Sequence, residues 1–313
     1  MFLADIFSPS RVKISLLSEY ITIRRTVLDE LLKNHAVERG AFFYQAHVGK
    51  IETEPGGHTR LIIDKTDKPI KARYYIIATG SNFAFLKNSG ITSRSFPTAI
   101  GARRYVRSDY KIDRLIFAHE KTTPRGYGWI FPLGDGEYNM GVGYFRGGGI
   151  EHAKDMKKIF RDFKAGFPQA SRLLEKGEIL TPLCASLIQF GLRGTRPLAG
   201  ANILLTGEAL GATLPFTGEG IAPALLSGEI AARVVHQALR DNDPDFVKQY
   251  PGIIKQEMLP RYRGLRLAEI FLKGAPFDLF WKAVQKSKVL HQLVHGITLG
   301  SLHPSDDSYY SDS

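Results

Sequence analysis

A single cysteine, Cys184, stands in the whole chain. Neither a disulfide framework nor a cysteine metal cluster can be built from it, and such usage suits a reducing compartment. No base is near it in the sequence pattern, so the expectation is a buried, inert thiol. Long hydrophobic runs are missing too: no uncharged apolar stretch is long enough to cross a bilayer. The opening, MFLADIFSPSRVKISLLSEY, lacks a basic segment followed by a continuous apolar one, so it does not read as a signal peptide. Basic residues never run five together, which disfavours an extended nucleic-acid patch. Also absent is any G-x-G-x-x-G leading into a helical pattern near the N-terminus. The nearest glycine clusters, Gly56-Gly57 and Gly147-Gly148-Gly149, sit in turn-like contexts. The usual cradle for an ADP pyrophosphate is therefore not written in this chain.

What is present belongs to a globular protein. Its 313 residues suffice for one large domain or two intimately joined ones. Lys and Arg number 42 against 31 Asp and Glu, a surplus of +11. With nucleic acid disfavoured, that surplus leaves an anionic membrane surface or phosphate-bearing substrates as partners. The reading is a soluble, cytoplasmic protein, with contact at a membrane periphery as an accompanying option.

The stretch Asn202 to Val235 organises the rest. A short apolar strand, Ile203-Leu204-Leu205, breaks at Thr206-Gly207-Glu208 and enters a loop of small residues. A helix follows whose face is small: Ala222, Ala224, Ser227, Gly228, Ala231 and Ala232. Pro223 suits the first turn, where its missing N–H costs little. Gly218-Glu219-Gly220 should leave backbone N–H groups open at the positive end of the helix, which suits a phosphate or another electron-rich group. The plain alternative is a strand–loop–helix unit that only packs.

The whole string resembles the second flavin-binding segment of the geranylgeranyl reductase family, part of the flavoprotein group of p-hydroxybenzoate hydroxylase. The resemblance rests on Gly207-Glu208-Ala209-Leu210-Gly211, Pro215, Thr217-Gly218-Glu219-Gly220-Ile221 and Ala224-Leu225-Leu226-Ser227-Gly228. Glu208 stands where the family has the Asp that holds the flavin ribityl chain. Arg25-x-x-Leu28-Asp29-x-x-Leu32 resembles the family helix whose Arg leans over the flavin diphosphate and ribityl region. Thr79-Gly80 ends the strand Tyr74–Ala78 where the family has Asp-Gly. The implied FAD contacts are Arg25, Thr79, Gly80, Gly207, Glu208, Pro215, Thr217, Gly218, Glu219, Gly220 and Ile221.

A second motif lies between. Tyr127-Gly128-Trp129-Ile130-Phe131-Pro132 alternates, which puts Tyr127, Trp129 and Phe131 on one face. Gly134-Asp135-Gly136 then turns the chain back as a hairpin through Tyr138 to Tyr144. This resembles the family's Y-x-W-x-F-P hairpin, part of the lipid-pocket wall; ordinary sheet core is the alternative. Gly141 and Gly143 leave one face of the returning strand bare, which suits a flat ring or chain.

The remaining patterns are weaker. Residues 1–20 receive no assignment. Leu28, Leu31, Leu32 and Ala36 recur at helical spacing with Gly40 as cap, and a strand-like stretch runs from Ala41 to Ile51. Residues 151–176 read as one or two helices. After Asp243-Pro244 the chain is helical and basic, including Trp281, Lys282 and Val284, and 305–313 reads as disordered.

The expected fold is α/β with an α+β substrate layer: an incomplete Rossmann-like FAD-binding domain, an inserted antiparallel-sheet domain and C-terminal helices. Expected segments are 1–85 and 191–240 for FAD, 86–190 for substrate, and 241–304 for the helices. The resemblance implies an FAD-dependent oxidoreductase that reduces isoprenoid double bonds by hydride transfer from reduced flavin. NADPH or a ferredoxin would be the electron donor, and no metal is expected. The alternatives are a flavin-dependent aromatic hydroxylase or halogenase, and a non-catalytic lipid-binding relic. The missing pyrophosphate cradle points first to a fragment or a misplaced start, and after that to a split protein or a relic that no longer holds flavin.

Overall fold

A computed structural model describes residues 2–11, 13–54, 59–64, 69–92, 98–123, 125–145, 155–192, 196–272, 277–287 and 290. In chain order the elements are β1 (Phe2–Phe7), β2 (Lys13–Tyr20), α1 (Arg25–Glu38), β3 (Val48–Thr53), β4 (Thr59–Ile63), β5 (Tyr75–Ile77) and α2 (Phe83–Asn88). There follow β6 (Ala99–Ser108), β7 (Arg114–Ala118), β8 (Gly126–Gly134), β9 (Glu137–Phe145), α3 (Met156–Gly166), α4 (Pro168–Glu175), β10 (Gly177–Ile179) and β11 (Cys184–Ile188). The last are β12 (Ile203–Leu205), α5 (Gly207–Leu210), α6 (Ile221–Arg240), a 3-10 turn (Pro244–Gln249), α7 (Tyr250–Leu272) and α8 (Phe277–Lys286). The expected α/β class holds. Two compact units divide the chain: Met1–Phe43 with Ala99–Ser186 and Ile270–Ser313, and Tyr44–Thr98 with Leu187–Glu269.

The first unit is built on a mixed sheet in the order β10-β6-β9-β8-β7-β1-β2, with β11 also paired to β6. β1 runs parallel to β7, whereas β7, β8 and β9 form an antiparallel meander. One face is a dry core: Ile130, Met140, Val142 and Tyr144 of the sheet meet Ile159, Phe160, Phe163 and Phe167 of α3 and the start of α4. Each such side chain contributes about 1.5–3 kcal/mol on full burial. The helices start where their caps dictate. Asp155 accepts from the N–H groups of Lys157 and Lys158, and Pro168 opens α4 at a position that needs no N–H. Gly128 is required here, because a methyl at its Cα would overlap the Phe163 ring.

Residues 1–20, which the sequence left unassigned, form the β1–β2 hairpin. Ala4 and Ile6 face a small core with Ile14, Leu16, Leu115 and Val284, the last from α8. Asp5 between them points the other way yet is buried, bound by Ser15 Oγ (2.7 Å), Arg114 Nε (2.9 Å) and Lys13 Nζ (3.0 Å). A buried, paired carboxylate erases the alternation that sequence reading depends on. Backbone pairing ties β1 and β2 to this sheet, and the compact units place 1–43 in the first unit and 86–98 in the second. α1 ends at the expected glycine, with Gly40 at φ +95°, but buries none of its residues.

The second unit contains the β3–β4 hairpin and a two-stranded parallel pair, β12 with β5. The strand expected from Ala41 begins only at Val48. α6 buries Pro223, Ser227, Ile230, Ala231, Val234 and Ala238. The small face expected of it is thus divided: Ser227 and Ala231 point inward, while Ala222 and Ala232 are exposed.

Cys184 is exposed, contrary to the expected buried thiol, because residues 184–187 of β11 all present exposed side chains. The glycine clusters at 56–57 and 147–149, much of the expected basic helix beyond Lys286, and the tail 305–313 lie outside the described residues. No helix among the described residues is long and apolar enough to cross a membrane.

Candidate functional site

In the second unit, β5 and β12 pair in parallel with Ile77 opposite Leu205, and the register continues through the Thr206 N–H to the Ile77 carbonyl (3.0 Å). Their C-terminal ends, Thr79-Gly80 and Thr206-Gly207, therefore leave side by side. In parallel α/β sheets that is where ligands bind. Gly207 adopts φ +56°, donates its N–H to Ser227 Oγ (2.8 Å), and lies so close to Ala224 that a Cβ would be only 3.2 Å from that methyl. Ser227 in turn donates to the Pro223 carbonyl (2.8 Å), so one hydroxyl ties the strand exit to α6.

The loop that follows is tightly drawn. Leu214 N–H donates to the Glu219 carbonyl (2.7 Å) and Gly218 N–H to the Leu214 carbonyl (3.1 Å). Gly218 has φ +70°, and Phe216, a bulky residue, has φ +72°. A positive φ on such a side chain is strain that the surrounding contacts must hold, and it often marks a ligand clamp. Pro215 is buried, and Thr217 Oγ1 accepts from Glu219 N–H (3.3 Å).

Gly220 caps α6 without a side-chain hydrogen bond. Two of the expected donors, the Gly218 and Glu219 amides, are engaged inside the loop; those of Gly220, Ile221 and Ala222 stand at the open helix start. Glu208 Oε1 accepts from Gln189 N–H (2.9 Å), which fixes this carboxylate against the backbone of the neighbouring segment. Thr79 Oγ1 is buried with no hydrogen-bond partner. A buried hydroxyl without a partner and an uncapped helix start each suit an electron-rich group such as a flavin edge.

Sequence reasoning missed what holds this loop from beneath. Tyr250 OH donates to the Leu205 carbonyl (2.6 Å) and Tyr262 OH to the Ala212 carbonyl. Burial pushes both phenols well above their ordinary pKa, so they stay protonated donors. The two tyrosines lie twelve residues apart on α7, about 120° around a regular helix, so their spacing does not mark them as a pair.

In the first unit, the hairpin forms as expected, with Trp129 opposite Gly141 and Phe131 opposite Asn139. Tyr127, Trp129 and Phe131 share one face. Phe117 of β7 joins them, its ring centroid 5.8 Å from Tyr127 and 5.0 Å from Phe131. The bare strip expected over Gly141 is not open. The Trp129 indole lies across it, where a methyl would overlap the ring, and its Nε1–H donates to Asn139 Oδ1 (3.2 Å). The glycine admits the protein's own ring.

His119 lies 5.7 Å from Tyr127 and donates Nδ1–H to the Gly126 carbonyl (3.1 Å). Burial lowers its pKa to about 4, so the imidazole is neutral at physiological pH; burial likewise raises the Tyr127 phenol. Arg25 is held on its own helix by Asp29 (3.0 and 3.2 Å). Its neighbour Arg24 makes the tertiary contacts instead, to Glu137 Oε2 and over the Tyr105 ring. Among the described residues no three His, Cys, Asp or Glu side chains gather as a metal site.

A model of the geranylgeranyl reductase catalytic domain matches residues 100–179, which span the strands carrying the aromatic face. The digeranylgeranylglycerophospholipid reductase 2 of Methanopyrus kandleri is 26% identical over 94% of this chain and 76% of its own length. Together these matches support membership in the geranylgeranyl reductase family. That family comprises FAD-dependent oxidoreductases. A lycopene cyclase protein model also matches, over residues 5–134. The digeranylgeranylglycerophospholipid reductase of Thermoplasma acidophilum is 28% identical over 66% of the chain, which spans about half (51%) of that relative. Among solved structures, a geranylgeranyl bacteriochlorophyll reductase-like protein of T. acidophilum has a TM-score of 0.75 at 24% identity, covering 90% of this chain and 74% of its own. A flavin-dependent brominase has a TM-score of 0.69 at 15% identity, covering 94% and 75%. At these identities both share the fold, and the fold alone does not separate reductase from halogenase.

Proposed function

We propose that this chain takes part in the FAD-dependent reduction of isoprenoid double bonds. The observation that carries the reading is the aromatic face of Tyr127, Trp129, Phe131 and Phe117, built on the strands that match the catalytic domain of the family. Linked aromatic rings on a half-buried face offer the apolar, water-excluding surface that an alkene chain needs.

In this reading FAD, when bound, supplies hydride to one alkene carbon. The chain's own residues bind and orient. Gly207, Gly218, Gly220 and Ile221 allow close backbone approach and present the helix start. Pro215, Thr217 and Glu219 shape the loop, and Thr79, Gly80 and Glu208 flank the strand ends. Arg25 is assigned to the flavin phosphate region on the family resemblance. NADPH or a ferredoxin is the proposed electron source. The site is assigned to a cytoplasmic protein that meets its lipid at a membrane periphery, with no nucleic-acid partner. An aromatic hydroxylase or halogenase is the second reading, favoured by the fold shared with the brominase.

The test is an absorbance titration of the purified chain with FAD, followed by product analysis with a prenyl lipid and with a phenolic substrate. A bound-flavin spectrum and a saturated prenyl product support the reading. A hydroxylated or halogenated phenol, with the prenyl lipid unchanged, overturns it.

A further inference from the structure

The joint between α3 and α4 carries a cavity to which isoprenoid reduction assigns no role. It measures about 190 Å³ and is lined by Phe7 at the end of β1, Arg11 in the turn to β2, Tyr110 beyond β6, and Phe167, Gln169 and Arg172 around the start of α4. Drug-sized ligand sites begin at roughly 300 Å³, so this one suits a molecule of a single ring. Phe7 lies opposite Ala118 in the parallel pair of β1 and β7 and packs with the α3–α4 core, whereas Ile6 lies opposite Phe117. The cavity therefore sits on the helix-covered face of the sheet, the reverse of the face that carries Phe117, Tyr127 and Trp129.

Rings line this cavity, and its donors are in surplus. Phe7 and Phe167 meet edge to face, with centroids 5.4 Å apart. The Arg172 guanidinium and the Tyr110 hydroxyl have no hydrogen-bond or ion-pair partner among the described residues. Arg11 is positioned: its Nη2 donates to the Gly166 carbonyl (2.6 Å), and its Nε lies 3.7 Å from Glu120 Oε1. Its Nη1 is left over. The Gln169 amide stands in the first turn of α4, where Phe167 supplies no side-chain cap. No acidic residue is among those lining the space. Two guanidinia beside two phenylalanine rings thus face no anion of their own. A carboxylate matches the planar guanidinium fork in shape and charge, and a flat ring joined to it meets Phe7 and Phe167 in the offset or edge-on contacts that aromatic rings prefer.

We propose that this cavity binds a one-ring aromatic carboxylate, with the acid group held by Arg172 and Arg11 and the ring against Phe7 and Phe167. The site goes beyond the isoprenoid reading and stands independently of it.

The experiment is isothermal titration calorimetry of the full chain with benzoate, phenylacetate, cyclohexanecarboxylate, phenol, acetate and inorganic phosphate; saturation-transfer NMR on the same ligands detects binding without heat. Benzoate or phenylacetate should bind about tenfold more tightly than phenol, acetate or phosphate, and more tightly than cyclohexanecarboxylate. Arg172→Met should erase most of that margin and leave the melting temperature unchanged, since the side chain is exposed and unpartnered. Arg172→Lys should restore part of it. Arg161→Met removes the same charge from an exposed position on α3 and should leave binding as it was. Acetate or phosphate binding as tightly as benzoate overturns the proposal, as an anion site that ignores the ring. Equal affinity for phenol overturns it as an apolar site that ignores charge, and equal affinity for cyclohexanecarboxylate as one that ignores flatness. A margin that survives in Arg172→Met, or that falls equally in Arg161→Met, overturns it too, as does the absence of aromatic acid binding by both methods.

Discussion

The two faces of the large sheet use the same device for opposite ends. On one, Gly128 makes room for the Phe163 ring, and the ring comes from α3, so the glycine seals a dry interior. On the other, Gly141 makes room for the Trp129 indole, and the ring comes from the adjacent strand. No helix is needed to fill that space and Trp129 stays half-buried, although Phe117 and Phe131 on the same face pack against the small core that includes Val284 of α8. The contrast shows how a sheet separates stability from recognition. Rings delivered by another layer lock a core, whereas rings laid flat on their own sheet leave a surface that a ligand can cover.

The sharpest way to break this comparison is to remove each ring. Phe163→Ala should cost about 3–5 kcal/mol of stability, as large aromatic truncations in sealed cores do. Thermal melting measures it. Gly128→Ala should be damaging alone and much milder in the Phe163→Ala background, because the clash disappears with the ring. Trp129→Ala should cost less, about 1–3 kcal/mol, and should weaken prenyl-ligand binding tenfold or more. If melting shows equal losses for the two rings, both faces are interior and the distinction fails.

A smaller effect comes from pH. Burial depresses the folded-state pKa of His119 to about 4, whereas the unfolded chain binds a proton near 6.5. Because the unfolded state gains the proton first, the His119 contribution is complete above pH 6.5 and falls away toward pH 4, by about 1–3 kcal/mol. Urea unfolding across that window should show the slope, and His119→Gln should flatten it. Least of all should be Arg25→Ala. Its exposed i,i+4 pair with Asp29 is worth about 0.5 kcal/mol or less. A drop in flavin affinity in that variant, with melting unchanged, would sharpen the division of labour with Arg24.

Some of this architecture is legible along the chain. The β8–β9 hairpin follows from strict alternation and an Asp-Gly turn, and α3 and α4 from spacing and Phe167-Pro168. The loop before α6 is visible as a string of glycines at particular offsets. The β1–β2 hairpin is hidden, since a buried Asp5 satisfied by Ser15, Lys13 and Arg114 looks in sequence like an exposed residue. Arg24 and Arg25 are indistinguishable as neighbours; which one docks depends on the last residue before helical geometry begins.

The sequence by itself determined the local units: where strands turn, where helices are capped, and which aromatic residues share a face. These depend on interactions within a few residues, so their pattern survives in one dimension. Only the tertiary structure decided that the Gly141 strip is filled from within, that Tyr250 and Tyr262 support the loop, and that Arg11 and Arg172 line one cavity. The first depends on how one ring lies across a hairpin and the other two on partners brought together from distant parts of the chain, and no spacing along the sequence encodes either.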